Sequence, residues 1–321
     1  MNQLLIARRA SAVLYNFLIN HADEASVYLI PANICPIVPA IFIKAGVRII
    51  FIDISLETYC IDWSKCEEWA NTHEESICHI LYAHNYGYVD PNFGNKLARW
   101  KGLFPDSLVI DDRCLAEPSF LKQNELSDIE LYSTGYSKLL EIGHGGWGII
   151  KNQLKSVKWS DDFDQEAHEH LLDLFHNALD FNNKVDVDYS AYWLDQRKPI
   201  ITAGKLPTLI KDGLHQSLER KKRLNTIYAQ YLNEWALPNT FQLWRFNLWV
   251  EDAESLIKHV FEHGHFASRH YQSFAFLFDQ KVPLNSALLG RHIINLFNDH
   301  RYDEVKAVEL AELIRDYLSK K

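Results

Sequence analysis

The stretch from Asp128 to Lys151 reads D-I-E-L-Y-S-T-G-Y-S-K-L-L-E-I-G-H-G-G-W-G-I-I-K, and its order of residue types governs how the rest of the chain is read. The alternating run Ile129 to Tyr132 suits a strand. A small polar turn, Ser133-Thr134-Gly135, follows, and then one lysine, Lys138, between Ser137 and Leu139. Gly143, Gly145, Gly146 and Gly148 open onto a second apolar run, Trp147 to Ile150. An amine between a hydroxyl-rich turn and a glycine turn is placed for Schiff-base chemistry, because lysine becomes nucleophilic where its surroundings favour the neutral form. The competing reading is a solvated loop lysine, the ordinary fate of this residue. Gly143 to Gly148 also satisfies G-x-G-x-x-G. A dinucleotide site needs a helix after those glycines, and here a strand-like run follows.

Upstream, Ser26 to Pro31, Val47 to Ile52, Ile77 to Tyr82 and Ser107 to Ile110 read as buried strands. They alternate with helical stretches, among them Ala7 to His21 and the residues from Pro36 to Gly46. That alternation predicts parallel β-α units: an α/β sheet covered on both faces. Ligands in such sheets gather beyond the carboxyl ends of the strands. The residues there are Pro31-Ala32-Asn33, Asp53, His84-Asn85-Tyr86-Gly87 and Asp111-Asp112. A strand-end carboxylate can hold a protonated ring nitrogen, or it can simply cap a helix. Spacing alone does not separate these two readings of Asp111 and Asp112. The small, polar opening of the first helix offers the backbone amides of Arg9, Ala10 and Ser11 as an anion site, with an ordinary helix cap as the alternative.

Downstream, Trp159 to Gln196 is polar and acidic. Its three histidines, His168, His170 and His176, fit a solvated helix better than a metal cluster. Leu206 to Trp235 reads as a long helix. Beyond it, strand-like runs (Phe241 to Val250, Phe266 to Tyr271, His292 to Leu296) and helical ones (Ser255 to Gly264, Asp303 to Leu318) give an α+β pattern. The expected division is therefore a large domain over 1–205 and a smaller one over 206–321. A net charge of −9 argues against nucleic acid as a partner. The basic run Arg220 to Arg223 reads as a solvated helix surface. The five cysteines include no C-x-x-C pair and no defensible metal spacing, so they read as free thiols in a reducing compartment. No stretch has the length of a membrane span, and the N-terminal apolar run is too short for a signal peptide. A cytoplasmic, soluble protein is expected.

Taken together, these landmarks resemble the pyridoxal-phosphate-dependent aminotransferases of the DegT–StrS type, fold-type I. The resemblance runs through R-R-A-S-A-V at Arg8 to Val13, L-I-P-A-N-I-C-P at Leu29 to Pro36 and A-G-V-R-I-I-F-I-D-I at Ala45 to Ile54. It continues in A-H-N-Y-G at Ala83 to Gly87, V-I-D-D-R-C-L at Val109 to Leu115 and S-T-G-Y-S-K-L-L-E-I-G-H-G-G at Ser133 to Gly146. The phrases F-A-S-R-H-Y and I-I-N-L-F-N-D-H near the C-terminus are similar to the family as well.

The resemblance implies pyridoxal 5'-phosphate as cofactor and Lys138 as the residue of its internal aldimine. It implies Asp112 at the ring nitrogen, and Ser133 with the backbone near Arg9 and Ala10 at the phosphate. It further implies a homodimer that moves an amino group from glutamate or glutamine to a keto-sugar, nucleotide-linked in the family's pattern. The alternative is a relative that binds the cofactor but has lost or altered transamination. Several positions depart from the pattern. Arg9 replaces a glycine and Ala10 a hydroxyl residue, Cys35 stands where many members place an aromatic over the ring, and Leu115 replaces a Gln or His beside it. Phe181-Asn182-Asn183 is the nearest counterpart of a loop that reaches the neighbouring subunit.

Overall fold

The computed structural model describes residues 2–23, 25–73, 77–181 and 185–320. Asn182 and Asn183, and with them the suggested intersubunit loop, lie outside the described residues. The first half of the chain builds β1 (Gln3–Ala7), α1 (Ala10–His21), β2 (Ser26–Pro31), α2 (Ile37–Lys44), β3 (Arg48–Ile52) and α3 (Trp63–Thr72). It continues with β4 (Ile77–Ala83), α4 (Phe93–Leu103), β5 (Val109–Asp112), β6 (Ile129–Ser133), β7 (Gly146–Ile150) and α5 (Gln165–Phe181). The seven strands form one sheet in the order β1-β7-β6-β5-β4-β2-β3. β3, β2, β4, β5 and β6 run parallel, and β7 runs antiparallel between β6 and β1.

The continuous apolar runs become strands because both faces of the sheet are covered. On one face Leu81, Ile110, Ile129 and Leu131 pack with Val13, Phe17 and Phe42. On the other, Val27, Ile80, Tyr82 and Val109 pack with Trp63, Leu97 and Trp100. β1 was not anticipated, since Leu4-Leu5-Ile6 is too short to show a period. It is a strand because β7 supplies its ladder, with Ala7 opposite Gly146. That pairing delivers Arg8 and Arg9 to the glycine turn, and it moves the start of the first helix from Ala7 to Ala10.

The second half carries α6 (Leu206–Leu232), β8 (Phe246–Trp249), α7 (Ala253–Glu262), β9 (Ala267–Ser268), α8 (Leu284–His292), β10 (Ile293–Leu296) and α9 (Glu304–Leu318). β8, β10 and β9 form an antiparallel sheet with its own core, in which Leu224, Tyr228, Leu248, Ile294 and Ile314 are buried. The expected strand at Phe266–Tyr271 shrinks to two residues, and that at Phe241–Val250 begins only at Phe246. α8 was missed by its weak amphipathic period; Asp53 holds its first turn by accepting from the Asn285 and Ser286 backbone N–H groups at 3.1 and 2.9 Å. The chain also crosses back to the large sheet. The Gln280 amide accepts from Phe51 N–H and donates to the Ile49 carbonyl, both at 2.9 Å, and so covers the β3 edge. No helix among the described residues is long and apolar enough to cross a membrane.

Candidate active site at the strand ends

Two adjacent aspartates end β5, and strand alternation sends them to opposite faces. Asp111 is fully buried on the α3–α4 side. It accepts from His84 Nε2 and from Arg113 Nε, each at 2.8 Å, and His84 Nδ1 faces the Tyr88 carbonyl at 3.0 Å. Burial disfavours its charge, but His84 and Arg113 outweigh that and hold the carboxyl below its ordinary range. Asp112 lies on the opposite face, where Oδ1 accepts from the Cys114 N–H at 3.0 Å. Its charge is felt by the Cys35 thiol, raised chiefly by burial and partly offset by the Lys138 amine. Burial likewise raises the Cys114 thiol, with Asp112 adding to the shift and Lys138 opposing it. Asp112 and Lys138 therefore both lie within electrostatic reach of the Cys35 and Cys114 thiols. Among the other strand-end candidates, Asp53 and His84 are occupied in structural contacts.

Lys138 is half-buried and makes no hydrogen bond or ion pair among the described residues. Its loop is held from both sides. Ser137 is in the left-handed region at φ +55°. Its N–H donates to Glu141 Oε2 at 2.8 Å, and its carbonyl accepts from Trp244 Nε1 at 2.7 Å. Arg301 Nη2 clasps both Glu141 oxygens, at 3.0 and 2.9 Å, and Ser217 Oγ donates to the Leu139 carbonyl at 2.7 Å. The flanking backbone is thus fixed while the amine is left unpartnered.

The second feature is a cradle between β6 and the start of α1. Arg9 is the N-cap residue of α1, and no side chain caps that helix. A β-carbon on Gly135 would lie 3.1 Å from Arg9 Nη1 and 3.3 Å from Ser133 Oγ, so both polar groups border the space that glycine leaves. A β-carbon on Gly146 would lie 1.9 Å from Ala10 N; only glycine lets β7 pass this close to the helix start. A guanidinium, a serine hydroxyl and a helix N-terminus together make a phosphate-compatible donor set. The Arg9 side chain supplies a cation where the family's loop glycine supplies none, and the residues present fit a phosphate-bearing cofactor.

Other expectations come out differently. Leu115 is buried in an apolar cluster with Tyr86, Trp244 and Leu289. Cys35 sits at the approach to α2, where its carbonyl accepts from Val38 N–H at 2.9 Å. Lys221, expected on a solvated surface, is instead buried, donating to the Trp244 carbonyl and Asn298 Oδ1 at 2.8 Å each, and burial pushes its amine down to about 7. His168 is half-buried with Nδ1 against the Trp193 carbonyl at 3.0 Å, and no histidine joins a metal-type cluster among the described residues. Gly143 to Gly148 runs into a strand, β7, rather than a helix, which removes the dinucleotide reading. Sequence reasoning missed Trp244, whose indole holds the Ser137 carbonyl, and its neighbour Arg245, whose Nη2 donates to Ser137 Oγ at 3.2 Å. A single cation within the aromatic run Phe241–Val250 was the available signal.

Comparison with solved structures places the whole architecture. A DegT/DnrJ/EryC1/StrS aminotransferase from Brucella abortus matches with a TM-score of 0.68 at 14% identity, over 98% of this chain and 86% of that one. The fold is that of the DegT–StrS-type aminotransferases. A proposed sugar aminotransferase from Streptococcus pneumoniae, solved in its PLP form, matches with a TM-score of 0.70 at 16% identity, over 99% and 87% of the two chains. DesI, solved with its TDP-sugar product, matches with a TM-score of 0.70 at 14% identity, over 99% and 81%. No protein-family model and no curated protein sequence matches the chain.

Proposed function

We propose that this protein is a pyridoxal-phosphate-dependent aminotransferase. Its amino donor would be glutamate or glutamine, its acceptor a keto-sugar, nucleotide-linked as in DesI, and its working form a cytoplasmic homodimer. The observation that carries this reading is the convergence of an unpartnered Lys138, the carboxylate of Asp112 and the Arg9–Ser133 cradle at the carboxyl ends of β5 and β6. When bound, pyridoxal phosphate supplies an electron-withdrawing ring that spreads the negative charge developing at the substrate carbon.

The chain's own residues divide the remaining tasks. Arg9, Ser133 and the amides at Ala10 would hold the phosphate. Asp112 would keep a proton on the ring nitrogen, a task that suits a carboxylate steadied by the Cys114 N–H. Lys138 would anchor the cofactor covalently, then act at the substrate carbon as general base and acid. Cys35, small beside an aromatic, would line the ring site, and Leu115 would support it from the apolar cluster behind.

The test is an absorbance spectrum of the purified protein with pyridoxal phosphate, alongside Lys138→Ala, before and after borohydride. The expected result is a visible band in the wild type that borohydride removes and the variant lacks. Bleaching of that band by glutamate supports amino transfer. A band that no amino donor changes would favour a relative that holds the cofactor without transferring an amino group. Spectra of free cofactor in both proteins would remove the aminotransferase reading.

A further inference from the structure

The loop that carries Lys138 is gripped from the second half of the chain, and one grip differs in kind from the rest. Trp244, Ser217 and Arg245 meet neutral groups: the Ser137 carbonyl, the Leu139 carbonyl and Ser137 Oγ. Arg245 is buried with its guanidinium carbon 3.8 Å from the Phe297 ring centre, and among the described residues it has no ion-pair partner. Arg301, just beyond β10, instead holds a carboxylate. Its Nη2 reaches both Glu141 oxygens, and the two side chains are only 19% and 15% exposed. Charge-assisted contacts of this kind are the strong ones. Arg301 is also aimed by its own surroundings: Asp299 accepts from its N–H at 3.0 Å and from Nη1 at 2.8 Å. The Tyr136 ring centre lies 4.7 Å from its guanidinium carbon. Burial disfavours its charge, but Tyr136, Asp299 and Glu141 outweigh that and hold the guanidinium above its ordinary value.

Glu141 passes that hold to the backbone beside Lys138. Its Oε2 also accepts from the Ser137 N–H at 2.8 Å. Ser137 is the residue in the left-handed region, at φ +55°, which residues other than glycine seldom adopt. Such a conformation persists only where the surrounding contacts over-determine it. The direction in which a side chain leaves the main chain follows from the backbone angles around it. The series Asp299, Arg301, Glu141, Ser137 N–H therefore acts on Lys138 without touching it.

We propose that Arg301 is a positioning residue for Lys138: through Glu141 it holds Ser137 in the left-handed conformation and so aims the lysine amine. The inference rests on the aminotransferase reading above and adds to it a residue that touches neither cofactor nor substrate. A misaimed amine reacts slowly although its own chemistry is unchanged, because orientation supplies part of the rate. An ion pair between distant segments suits this task, since it fixes the loop from outside and leaves the space around the amine clear.

The experiment mixes the cofactor-free full chain with saturating pyridoxal phosphate and follows the growth of the visible, borohydride-sensitive band. Wild type is compared with Arg301→Lys, Arg301→Gln, Glu141→Ala and the double variant Arg301→Gln/Glu141→Ala, with a melting curve for each. Arg301→Gln and Glu141→Ala are each expected to slow the band about 30-fold, with Arg301→Lys falling between. The double variant is expected to be no slower than either single one, because both break the same connection. Hydrogen exchange at the Ser137 N–H, read in the same cofactor-free proteins, should quicken in Arg301→Gln; unchanged exchange there overturns the proposal. A merely structural ion pair would lower the melting temperature and the final height of the band while leaving its rate alone. A rate in Arg301→Gln within about threefold of wild type therefore overturns the proposal. So does a double variant slowed by the product of the two single effects, since the residues would then act independently. The wild-type spectrum separates the two readings: a band with no Arg301 dependence defeats only this inference, and an absent band defeats the aminotransferase reading and the inference with it.

Discussion

Asp111 and Asp112 are adjacent on β5 and carry the same functional group, yet one is fully satisfied and the other left with capacity to spare. Asp111 is sealed on the α3–α4 face between His84 and Arg113. Asp112, on the other face, spends one oxygen on a backbone N–H and shares its surroundings with Lys138. On the proposed reading, the carboxylate with incomplete pairing serves the chemistry, while the fully paired one holds the strand end in place. A buried pair that loses one partner leaves an uncompensated charge, so the Asp111 side should report on stability and the Asp112 side on chemistry.

The largest effect should come from the chemical side. Asp112→Asn is expected to lower amino-transfer turnover about 10³-fold, roughly 4 kcal/mol of barrier, while chemical denaturation places its stability within about 0.5 kcal/mol of wild type. Matching turnover in Asp112→Asn and wild type would dissolve the comparison. The mirror experiment is Asp111→Asn, expected to cost about 3 kcal/mol of folding stability by leaving Arg113 and His84 facing a neutral amide. A urea midpoint equal to that of wild type would mean that the buried network carries little. A smaller change, about 1 kcal/mol, is expected for Trp244→Phe, which removes the donor to the Ser137 carbonyl but keeps the ring. Its informative readout is the proteolysis rate of the Lys138 loop, which should rise if the small sheet holds that loop.

The mildest test uses pH. Because the Asp111 carboxyl sits below its ordinary value in the folded chain, its stabilisation is present above about pH 4, the unfolded carboxylate range, and is lost as pH falls through the lower folded value. The wild type should therefore lose stability on acidification below about pH 4 by more than Asp111→Asn does. Parallel acid-unfolding curves for the two proteins would count against the network.

Much of this was legible in the residues. The buried runs Ser26–Pro31 and Ile77–Tyr82 announced parallel strands, because only sheets covered on both faces tolerate continuous apolar sequence. Lys138 was visible as a cation between two turns, and Ser133 and Arg9 as polar groups near turns. β1 was hidden, because a five-residue strand is defined by its partner β7 rather than by a period of its own. Lys221 was misread for a similar reason: a basic run looks solvated until Asn298 and the Trp244 carbonyl close over one of its members. Arg245 carried a faint signal, a charge inside an aromatic strand, but its meaning lay in Phe297 and Ser137, both far away in sequence.

By itself the sequence determined the α/β layering, the order of the strands' apolar runs and the position of the candidate lysine. These follow from local periodicity and turn chemistry, which act over a few residues. Tertiary structure decided the surroundings of each aspartate, since β5's pairing with β4 and β6 fixes the face of each side chain and so seals Asp111 between His84 and Arg113. It also decided which cation is buried without a partner, because burial and the absence of a counter-ion arise only when distant segments meet and exclude water.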